Sequence, residues 1–339
     1  MATRLKDIAA DLGVSVVTVS KVLRNHSDIS EETRERVMKR IRELNYQPNL
    51  AARALVTGRS STIGLIVPDL VHPFFAEVAK GITRQLREHG YVLMISSSEE
   101  NADVERQEIE HMLARRVDAL LLASVQSDAA AFKMLEQHKT PVILLDRRVP
   151  GLTANFVGVD DEDTGRLATD HLIAQGCQRV AHIRGPEVST AMGRLAGYQK
   201  SLAAHGVPPN PKYVITGRTA DDSADRSGYE AMQHLLALTP RPDGVFCFND
   251  PVAMGAMQAV LDAGLRVPED VAVVGCGNIY HAPFLRVPLS SIDQNSAVIG
   301  ENAAQLALSL VGLKKPVPPR SILLESRLVA RASTLRKED

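Results

Sequence analysis

Residues 15–23 form the first stretch of the chain whose side chains and spacing could do chemistry. The sequence there is Ser-Val-Val-Thr-Val-Ser-Lys-Val-Leu, and Ser15 is a favourable N-cap for a short helix. On such a helix Val17, Ser20 and Lys21 share one face, because residues three and four apart are neighbours. Hydroxyl and ammonium groups bind phosphate oxygens, and apolar side chains can contact the methyl group of thymine. We therefore interpret this face as a surface for recognising DNA.

Two further helices are predicted to hold that face in place. Their apolar stripes are Leu5, Ile8, Ala9 and Leu12 for the first helix, and Val37, Ile41 and Leu44 for the last. Gly13 supplies a tight turn, and Ser30 caps a helix whose first turn carries two glutamates. Two short helices joined by a turn and closed by a third make a helix-turn-helix unit. The periodicity alone is equally compatible with a three-helix cap that has no role with nucleic acid.

The charge of the chain is unevenly distributed. Residues 1–60 hold 11 Lys and Arg against 7 Asp and Glu, whereas the remaining residues hold 28 against 33. The overall net charge of −1 conceals this division. A basic head on an acidic body is typical of a DNA-binding module joined to a domain with another task.

The residue pattern of this head resembles the lac-repressor family of bacterial transcription regulators. The resemblance rests on Ser15-x-x-Thr18-Val19-Ser20-Lys21-Val22-Leu23, on Ser30-Glu31-Glu32-Thr33-Arg34, and on Leu44-Asn45-Tyr46-x-Pro48-Asn49-x-x-Ala52-Arg53-x-Leu55. It implies a DNA-binding headpiece in residues 1–47, with a recognition helix in the major groove. The DNA-binding residues that it implies are Val16, Val17, Thr18, Ser20, Lys21, Asn25, Arg53 and Leu55.

Residues 48–58 are predicted to form a hinge helix. Good helix formers lie between Asn49, a possible cap, and Gly58, a possible stop. So short a helix is marginal in water by itself. The resemblance implies that it orders only on DNA, with Leu55 as an apolar wedge in the minor groove, a known way to kink a duplex. A plain flexible linker is the alternative.

From residue 62 onward, short apolar runs alternate with helical patterns. The predicted strands are near 63–67, 91–96, 119–123, 142–145, 156–159, 179–183, 244–248 and 271–275, with helices between most of them. This alternation predicts an α/β domain with parallel sheets that are covered on both faces. The resemblance adds two lobes like those of periplasmic binding proteins. They would comprise residues 62–160 with 292–320, and residues 161–291 with 321–339. The fold class is thus a small all-α headpiece followed by a two-lobed α/β domain, residues 62–339, for effector binding and dimerisation.

A ligand of this domain is expected between the lobes, at the carboxyl ends of the strands. The effector-binding residues that the resemblance implies are Phe74, Asp146, Arg147, Arg194, Asn249, Asn278 and Gln294. Structural alternatives exist for several of them. Phe74 would lie in the core, Arg194 would form a salt bridge between the lobes, and Asp250, beside Asn249, would cap a helix.

One position departs from the family pattern. Relatives often carry an aspartate, which binds a sugar hydroxyl, at the position of Gly277 in Gly275-Cys276-Gly277-Asn278. A buried hydroxyl without a partner costs about 1–3 kcal/mol. A neutral sugar therefore loses more from this change than an anionic ligand that Arg194 can bind. We expect a small polar effector with a modest preference for phosphorylated or acidic sugars, unless Asn278 replaces the aspartate.

Motifs of other function classes are missing from the sequence. There is no GxSxG, P-loop, GxGxxG or HExxH motif, and the ten histidines lack metal-ligand spacing. No catalytic residue, cofactor or metal is therefore expected. Three cysteines without a CxxC pair suit a reducing compartment. Without an apolar leader or a segment of membrane-spanning length, the chain is expected in the cytoplasm with no membrane partner.

The sequence as a whole predicts a cytoplasmic repressor controlled by a small polar effector, a sugar or sugar derivative. Its partners would be a pseudo-palindromic double-stranded DNA operator and a second copy of the chain. A homodimer is expected rather than a tetramer, because residues 330–339 hold a single leucine, Leu335, too few for a heptad repeat. One alternative is a cytoplasmic sensor without operator binding. Another is a corepressor-dependent regulator that responds to a nucleobase or a partner protein.

Overall fold

The computed structural model describes residues 4–23, 26–46, 59–138, 140–217, 224–313, 315 and 317–336. The chain divides into two units, Met1–Ser60 and Ser61–Asp339. The predicted hinge, residues 48–58, and the predicted DNA contacts Asn25, Arg53 and Leu55 lie outside the described residues. Among the residues that are described, none of the helices has both the length and the apolar character that a membrane span requires.

The first unit contains the three predicted helices, α1 (Leu5–Leu12), α2 (Val16–Leu23) and α3 (Glu31–Glu43). Gly13 ends α1 with a φ of 66°, a left-handed conformation that glycine adopts without a steric penalty. The hydroxyls of Ser15 and Ser30 accept N–H bonds from residues three positions later, as N-caps do. The buried core of the unit is Ile8, Ala9, Val19, Val22, Val37 and Ile41. The predicted apolar stripes of these helices are thereby confirmed.

The second unit alternates strands and helices. Its first half comprises β1 (Thr62–Val67), α4 (Pro73–Glu88), β2 (Val92–Ser97), α5 (Ala102–Ala114), β3 (Ala119–Leu122), a 3₁₀ helix (Ala129–Gln137), β4 (Val142–Leu145), β5 (Asn155–Val159), α6 (Asp161–Ala174), β6 (Val180–Arg184) and α7 (Ser189–Ala204). Its second half comprises a 3₁₀ turn (Pro211–Tyr213), β7 (Val214–Thr216), α8 (Ala224–Leu236), β8 (Gly244–Cys247), α9 (Asp250–Asp262), β9 (Ala272–Cys276), a 3₁₀ turn (Ala282–Phe284), β10 (Ser290–Asp293), α10 (Ser296–Leu310), β11 (Ser321–Leu324) and β12 (Arg327–Val329).

These strands form two six-stranded sheets, one in each lobe. Their orders are β11-β5-β4-β3-β1-β2 in the first lobe and β12-β10-β9-β8-β6-β7 in the second. All neighbouring strands are parallel except β12, which is antiparallel to β10. Helices α4 and α10 cover one face of the first sheet and α5 covers the other, while α8 with α9 and α6 with α7 cover the second sheet. Because both faces are buried, the central strands are apolar throughout, as the sequence predicted.

The described chain passes between the lobes after β5, after β10 and after β11. The last two crossings differ from the predicted boundaries at 291 and 321. Residues 290–293 all belong to the second sheet, and Ser321–Leu324 pairs in parallel with β5 in the first sheet. The chain returns to the second sheet only at Arg327. The segment from 321 to 329 thus forms two strands, separated by Glu325 and Ser326.

Candidate functional site

The exposed face of α2 is the candidate DNA-binding surface. Val16 and Val17 are 44% and 61% exposed, whereas Val19 and Val22 of the same helix are buried in the headpiece core. Val17 therefore does not belong to the packed core of the headpiece. Two exposed apolar side chains at the start of a short helix are suited to contact with thymine methyl groups.

The polar residues of α2 have intramolecular partners. The Lys21 ammonium pairs with the Asp28 carboxylate, and this hydrogen bond lowers the pKa of Asp28. The backbone N–H of Thr18 donates to Ser15 Oγ at 3.0 Å, and the two hydroxyl oxygens are 2.8 Å apart. Lys21 must leave Asp28, or share it, in order to reach a DNA phosphate. The described residues do not include Asn25, Arg53 or Leu55, whose predicted roles stay predictions.

A cavity of about 180 Å³ lies between the two lobes of the second unit. It is formed where the carboxyl ends of the strands of both sheets meet, as expected for an α/β ligand site. The predicted effector residues in its wall are Phe74, Asp146, Arg147, Arg194, Asn249 and Gln294. We call it the central cavity. The topology therefore brings together six side chains that are widely separated in sequence.

Arg194 is buried and already paired. Its Nε donates to Asp161 Oδ1 at 3.0 Å, and its Nη1 donates to the Phe248 carbonyl oxygen at 2.7 Å. Its guanidinium carbon also lies 4.8 Å from the centre of the Phe248 ring. Asp161 and Arg194 belong to α6 and α7 of the same lobe, so the predicted salt bridge between lobes is instead one within the second lobe. Arg194 lines the central cavity, but its charge is already shared by the buried carboxyls of Asp161 and Asp146.

Two glycines allow this ion pair to form. A Cβ atom at Gly165 would lie 2.1 Å from the carbonyl oxygen of Arg194, and one at Gly197 would lie 1.9 Å from that of Glu162. Both distances are too short for a side chain, so the backbones of α6 and α7 approach more closely than larger residues permit. This close approach places the first residue of α6 against the guanidinium of Arg194.

The charge of Arg147 is likewise paired within the protein, although its buried Nε has no hydrogen-bond partner among the described residues. Its two terminal nitrogens donate to the two oxygens of Glu100 at 2.9 and 2.8 Å, a bidentate ion pair within the first lobe. The side chain of Arg147 is only 6% exposed. A ligand that took Arg147 would leave Glu100 without its counter-charge. Arg147 therefore shapes the wall of the central cavity and positions Glu100 in it.

Asp146 and Asp161 approach Arg194 from different lobes. Burial raises the pKa of Asp146, although Arg194 and Arg147 partly oppose the shift. Burial and the nearby charge of Asp146 raise the pKa of Asp161 to about 7, again against the effect of Arg194. One guanidinium thus serves two buried carboxyls, and at neutral pH a proton can reside between them. Gln294 adds a hydrogen bond from its amide nitrogen to Asp146 Oδ1 at 3.4 Å.

Asn249 connects the lobes and caps a helix. Its Oδ1 accepts the N–H of Val252 at 2.9 Å, which makes Asn249, and not Asp250, the N-cap of α9. Its amide nitrogen lies 3.0 Å from Nε2 of His72 in the first lobe. Burial lowers the pKa of His72 to about 4, so this histidine is neutral at physiological pH.

The expectation that Asp250 caps this helix was wrong. Its carboxylate accepts bonds from the Ser291 hydroxyl and the Ile279 N–H, and burial raises its pKa to about 6. Asp250 therefore fixes the loop that follows β9.

Asn278 does not line the central cavity, contrary to prediction. Its amide oxygen accepts a bond from Arg331 at 2.7 Å, and its amide nitrogen donates to Asp293 at 3.3 Å. Gly277 beside it has a φ of 125°, which L-residues rarely adopt. An aspartate at position 277 would be strained in this backbone, and Asn278 is turned away. The carboxylate that relatives often place here has no direct replacement from residues 277 and 278.

Several cavity residues were missed by sequence reasoning. They include Asp69, His72, Glu100, Arg184 and Phe248. Arg184 is the last residue of β6, and Phe248 directly follows β8. The rule that ligands bind at the carboxyl ends of parallel strands was the available signal for both. Glu100 lies in a turn, and its position depends on the bond with Arg147.

Family models match both units of the chain. Residues 4–49 match a model described as bacterial regulatory proteins, lacI family, and residues 60–332 match one described as periplasmic binding proteins and sugar binding domain of LacI family. The second match alone covers most of the chain. The chain belongs to the LacI family.

Curated relatives of this LacI-family protein match over nearly its whole length. It is 33% identical over 336 residues to the HTH-type transcriptional repressor PurR of Escherichia fergusonii, with 98% of this chain and 97% of that protein covered. It is 34% identical over 337 residues to PurR of Erwinia tasmaniensis, with 97% of each covered.

Solved structures agree with this assignment. The lac repressor dimer bound to operator and the anti-inducer ONPF is 29% identical, with a TM-score of 0.87 and coverage of 99% and 100%. A transcriptional regulator CelR–cellobiose complex is 31% identical, with a TM-score of 0.73 and coverage of 98% and 99%. This LacI-family protein is a DNA-binding transcription repressor with a ligand-sensing domain and is not an enzyme.

Proposed function

We infer that the protein acts in the cytoplasm as a homodimer on a pseudo-palindromic operator, and that a small polar molecule in the central cavity controls its affinity for DNA. The observation that carries the effector part is the cavity itself. It lies between two lobes joined by extended segments, and donors and acceptors of both lobes meet in it. A ligand there contacts both lobes at once and so alters the balance between open and closed forms.

The headpiece supports the DNA part of the proposal. Val16 and Val17 would contact base edges in the major groove, while Thr18, Ser20 and Lys21 would bind phosphates. Leu55 and Arg53 would act in the minor groove, with Leu55 as the wedge that kinks the duplex. Two copies of this surface, related by a two-fold axis, read two half-sites of inverted sequence.

The chemistry of the central cavity favours a carbohydrate or a carbohydrate derivative. Hydroxyl groups need a donor or acceptor each, and Asp146, Asn249 and Gln294 offer both kinds. Two relatives have solved structures with a bound small molecule, a CelR–cellobiose complex and the lac repressor bound to ONPG. Phe74 and Phe248 also line the cavity, and aromatic side chains are suited to contact with a flat ring. A nucleobase is therefore the second candidate.

Hydrogen bonds between the lobes are the elements that a ligand would change. His72 contacts Asn249 at 3.0 Å, and the Arg148 N–H donates to Ser189 Oγ at 2.8 Å. A ligand that takes the amide of Asn249 replaces the bond to His72 and shifts the population of the closed form. In a dimer, that shift alters the spacing of the two hinge segments and so the fit to two half-sites. The size of the response is limited by the ligand's differential affinity for the two forms.

A metabolite screen followed by operator binding tests this function. Sugars, sugar derivatives and nucleobases are screened by thermal shift, since a ligand of the native state raises the melting temperature. Each hit is then tested for its effect on operator affinity. Asn249→Ser keeps a capping oxygen but removes the amide, so it should abolish the effector response while operator binding persists.

Asn101→Ser is the matched control, because Asn101 caps α5 outside the cavity. A hit that changes operator affinity equally in the parent and in Asn249→Ser would contradict the assigned site. Protection of residues 1–58 from proteolysis by DNA separates this function from that of a sensor without operator binding. Cleavage that is unaffected by operator DNA would favour the sensor.

A further inference from the structure

A second cavity lies between the lobes, beside the central one. Its volume is about 650 Å³, within the range of small-molecule sites. The first lobe contributes the loops after β3 and β4, and the second lobe contributes the end of β6 and the start of α7. Arg184 lies in the wall of both cavities. We call the second one the outer cavity.

The arginines of the outer cavity are much less neutralised than those of the central one. Arg147 and Arg194 each bind a carboxylate at 3.0 Å or less. Among the described residues, the nearest carboxylate to Arg184 is that of Glu187, at 3.8 Å, and Glu187 is 88% exposed. The Nε of Arg184 is buried and has no hydrogen-bond partner among the described residues, a feature that it shares with the Nε of Arg147. A buried donor without a partner costs free energy that a bound acceptor would recover.

Arg148 adds a second cation from the opposite lobe. Its guanidinium lies 3.6 Å from the centre of the Phe156 ring and donates to the Ser321 hydroxyl at 2.8 Å. The described residues provide no carboxylate within 4.0 Å of it, although the charge of Asp161 acts on it from a greater distance. Stacking on Phe156 holds the guanidinium in one plane without consuming all of its donors.

The remaining wall combines polar and apolar residues and is almost free of acids. Ser124, Gln126, Ser127 and Ser189 line it, and Glu187 is the one carboxylate among its described lining residues. Helix α7 begins at Ser189 with no acidic residue in its first turn, so its dipole adds to the positive potential. Two arginines from opposite lobes, with few competing carboxylates, are suited to an anion that bridges the lobes.

Resting on the effector function proposed above, we propose that the outer cavity binds the phosphate or carboxylate of the effector, with Arg184 and Arg148 as the contacts. The neutral part of the same molecule occupies the central cavity, and Arg184, which lies in both walls, joins the two subsites. The expected class is thus a phosphorylated or acidic sugar. This assignment replaces the sequence-based one, which gave the anion to Arg194.

Inorganic phosphate is the first probe, with the full chain at constant ionic strength and chloride as the comparison ion. We expect saturable phosphate binding by calorimetry. The dissociation constant should rise at least tenfold in Arg184→Gln and in Arg148→Gln. Arg106→Gln is the matched control, because Arg106 is a half-exposed arginine on α5 that pairs with Asp103. Absence of phosphate-specific binding in the parent would overturn the proposal, as would unchanged binding in Arg184→Gln with native thermal stability.

Sugar phosphates then identify the source of the anion. A panel of hexose and pentose phosphates and uronates is compared with the parent sugars and with inorganic phosphate. We expect at least one charged sugar to bind tenfold more tightly than both its neutral parent and phosphate, and to lose that advantage in Arg184→Gln. A panel in which no charged sugar exceeds free phosphate would overturn the proposal.

Operator binding by the same preparations separates this inference from the function on which it rests. The parent and the control variant Arg106→Gln should bind operator equally in the absence of ligand. If Arg184→Gln loses the preference for charged sugars while the parent binds operator, the result bears on the outer cavity and not on the DNA-binding function. Failure of the parent to bind operator would refute the proposed function and leave the calorimetric result to decide the anion site.

Discussion

Replacement of Arg194 by methionine should strongly destabilise residues 61–339. Arg194 is 3% exposed and is the buried cation that faces Asp161 and Asp146. Removal of one partner of a buried ion pair typically costs about 3–5 kcal/mol, because the other charge is left uncompensated. The bond to the Phe248 carbonyl oxygen is also lost, for about 1 kcal/mol more. We therefore expect a loss of about 4–6 kcal/mol in the free energy of unfolding.

This loss should depend on pH and on Asp161. Without Arg194 the pKa of the Asp161 carboxyl rises above its present value of about 7, so at pH 6 the group is protonated and carries no charge. The destabilisation should be smaller at pH 6 than at pH 8.5. Asp161→Asn in the Arg194→Met background removes the uncompensated carboxyl and should recover much of the lost stability.

Urea unfolding followed by circular dichroism measures the four members of this double-mutant cycle. Arg166→Met is the matched control. Arg166 pairs with Asp163 and Asp170 on the surface of α6, and exposed pairs contribute only about 0–1 kcal/mol. The reasoning is refuted if Arg194→Met costs no more than Arg166→Met. It is also refuted if the double variant is as unstable as Arg194→Met alone.

Three further outcomes are expected. In the parent, the pKa of Asp161 is raised in the folded form, so protonation of this group adds stability as pH falls from 8 to 6. Asp161→Asn should lack this gain when the melting temperature is measured against pH. A pH profile of Asp161→Asn that equals that of the parent would contradict this role of Asp161. Lys21→Gln should weaken binding to all DNA sequences and reduce the slope of log affinity against log salt by about one. Asp28→Asn, which frees Lys21, should strengthen binding. Equal salt slopes for the parent and Lys21→Gln would exclude a phosphate contact of Lys21. Light scattering at micromolar concentration should give the mass of two chains. Phe284→Asp should shift the measured mass towards that of one chain, because Tyr280 and Phe284 form an exposed aromatic pair suited to an interface. A monomeric parent would contradict the dimer.

Local patterns were sufficient for most of the fold. Apolar spacing predicted the three headpiece helices, and buried apolar runs predicted the central strands, since period and burial are properties of neighbouring residues. The boundary at 321 was missed because the break between β11 and β12 is only Glu325 and Ser326, and strand pairing decides which sheet each joins. Helices α8 and α10 were not predicted individually.

The chemistry of the cleft was less predictable than its location. The family resemblance implied seven effector residues, and six of them line the central cavity at the strand ends. It could not show that Arg194 is occupied by Asp161, because that pair depends on the close approach of α6 and α7 at Gly165 and Gly197. Nor could it show that Asn278 turns to Arg331, which is 53 residues away in sequence. Long-range packing decides which charges remain available to a ligand, and the sequence alone gives no distance between such groups.

The repressor function is tested by selecting binding sites from random duplex DNA with the full chain. Affinity is then measured for the selected site and for its isolated half. We predict enrichment of an inverted repeat with two-fold symmetry. The full site should bind far more tightly than the half-site, with an affinity that falls steeply as salt increases. Enrichment of no sequence, or a half-site bound as tightly as the full site with little dependence on salt, would contradict it.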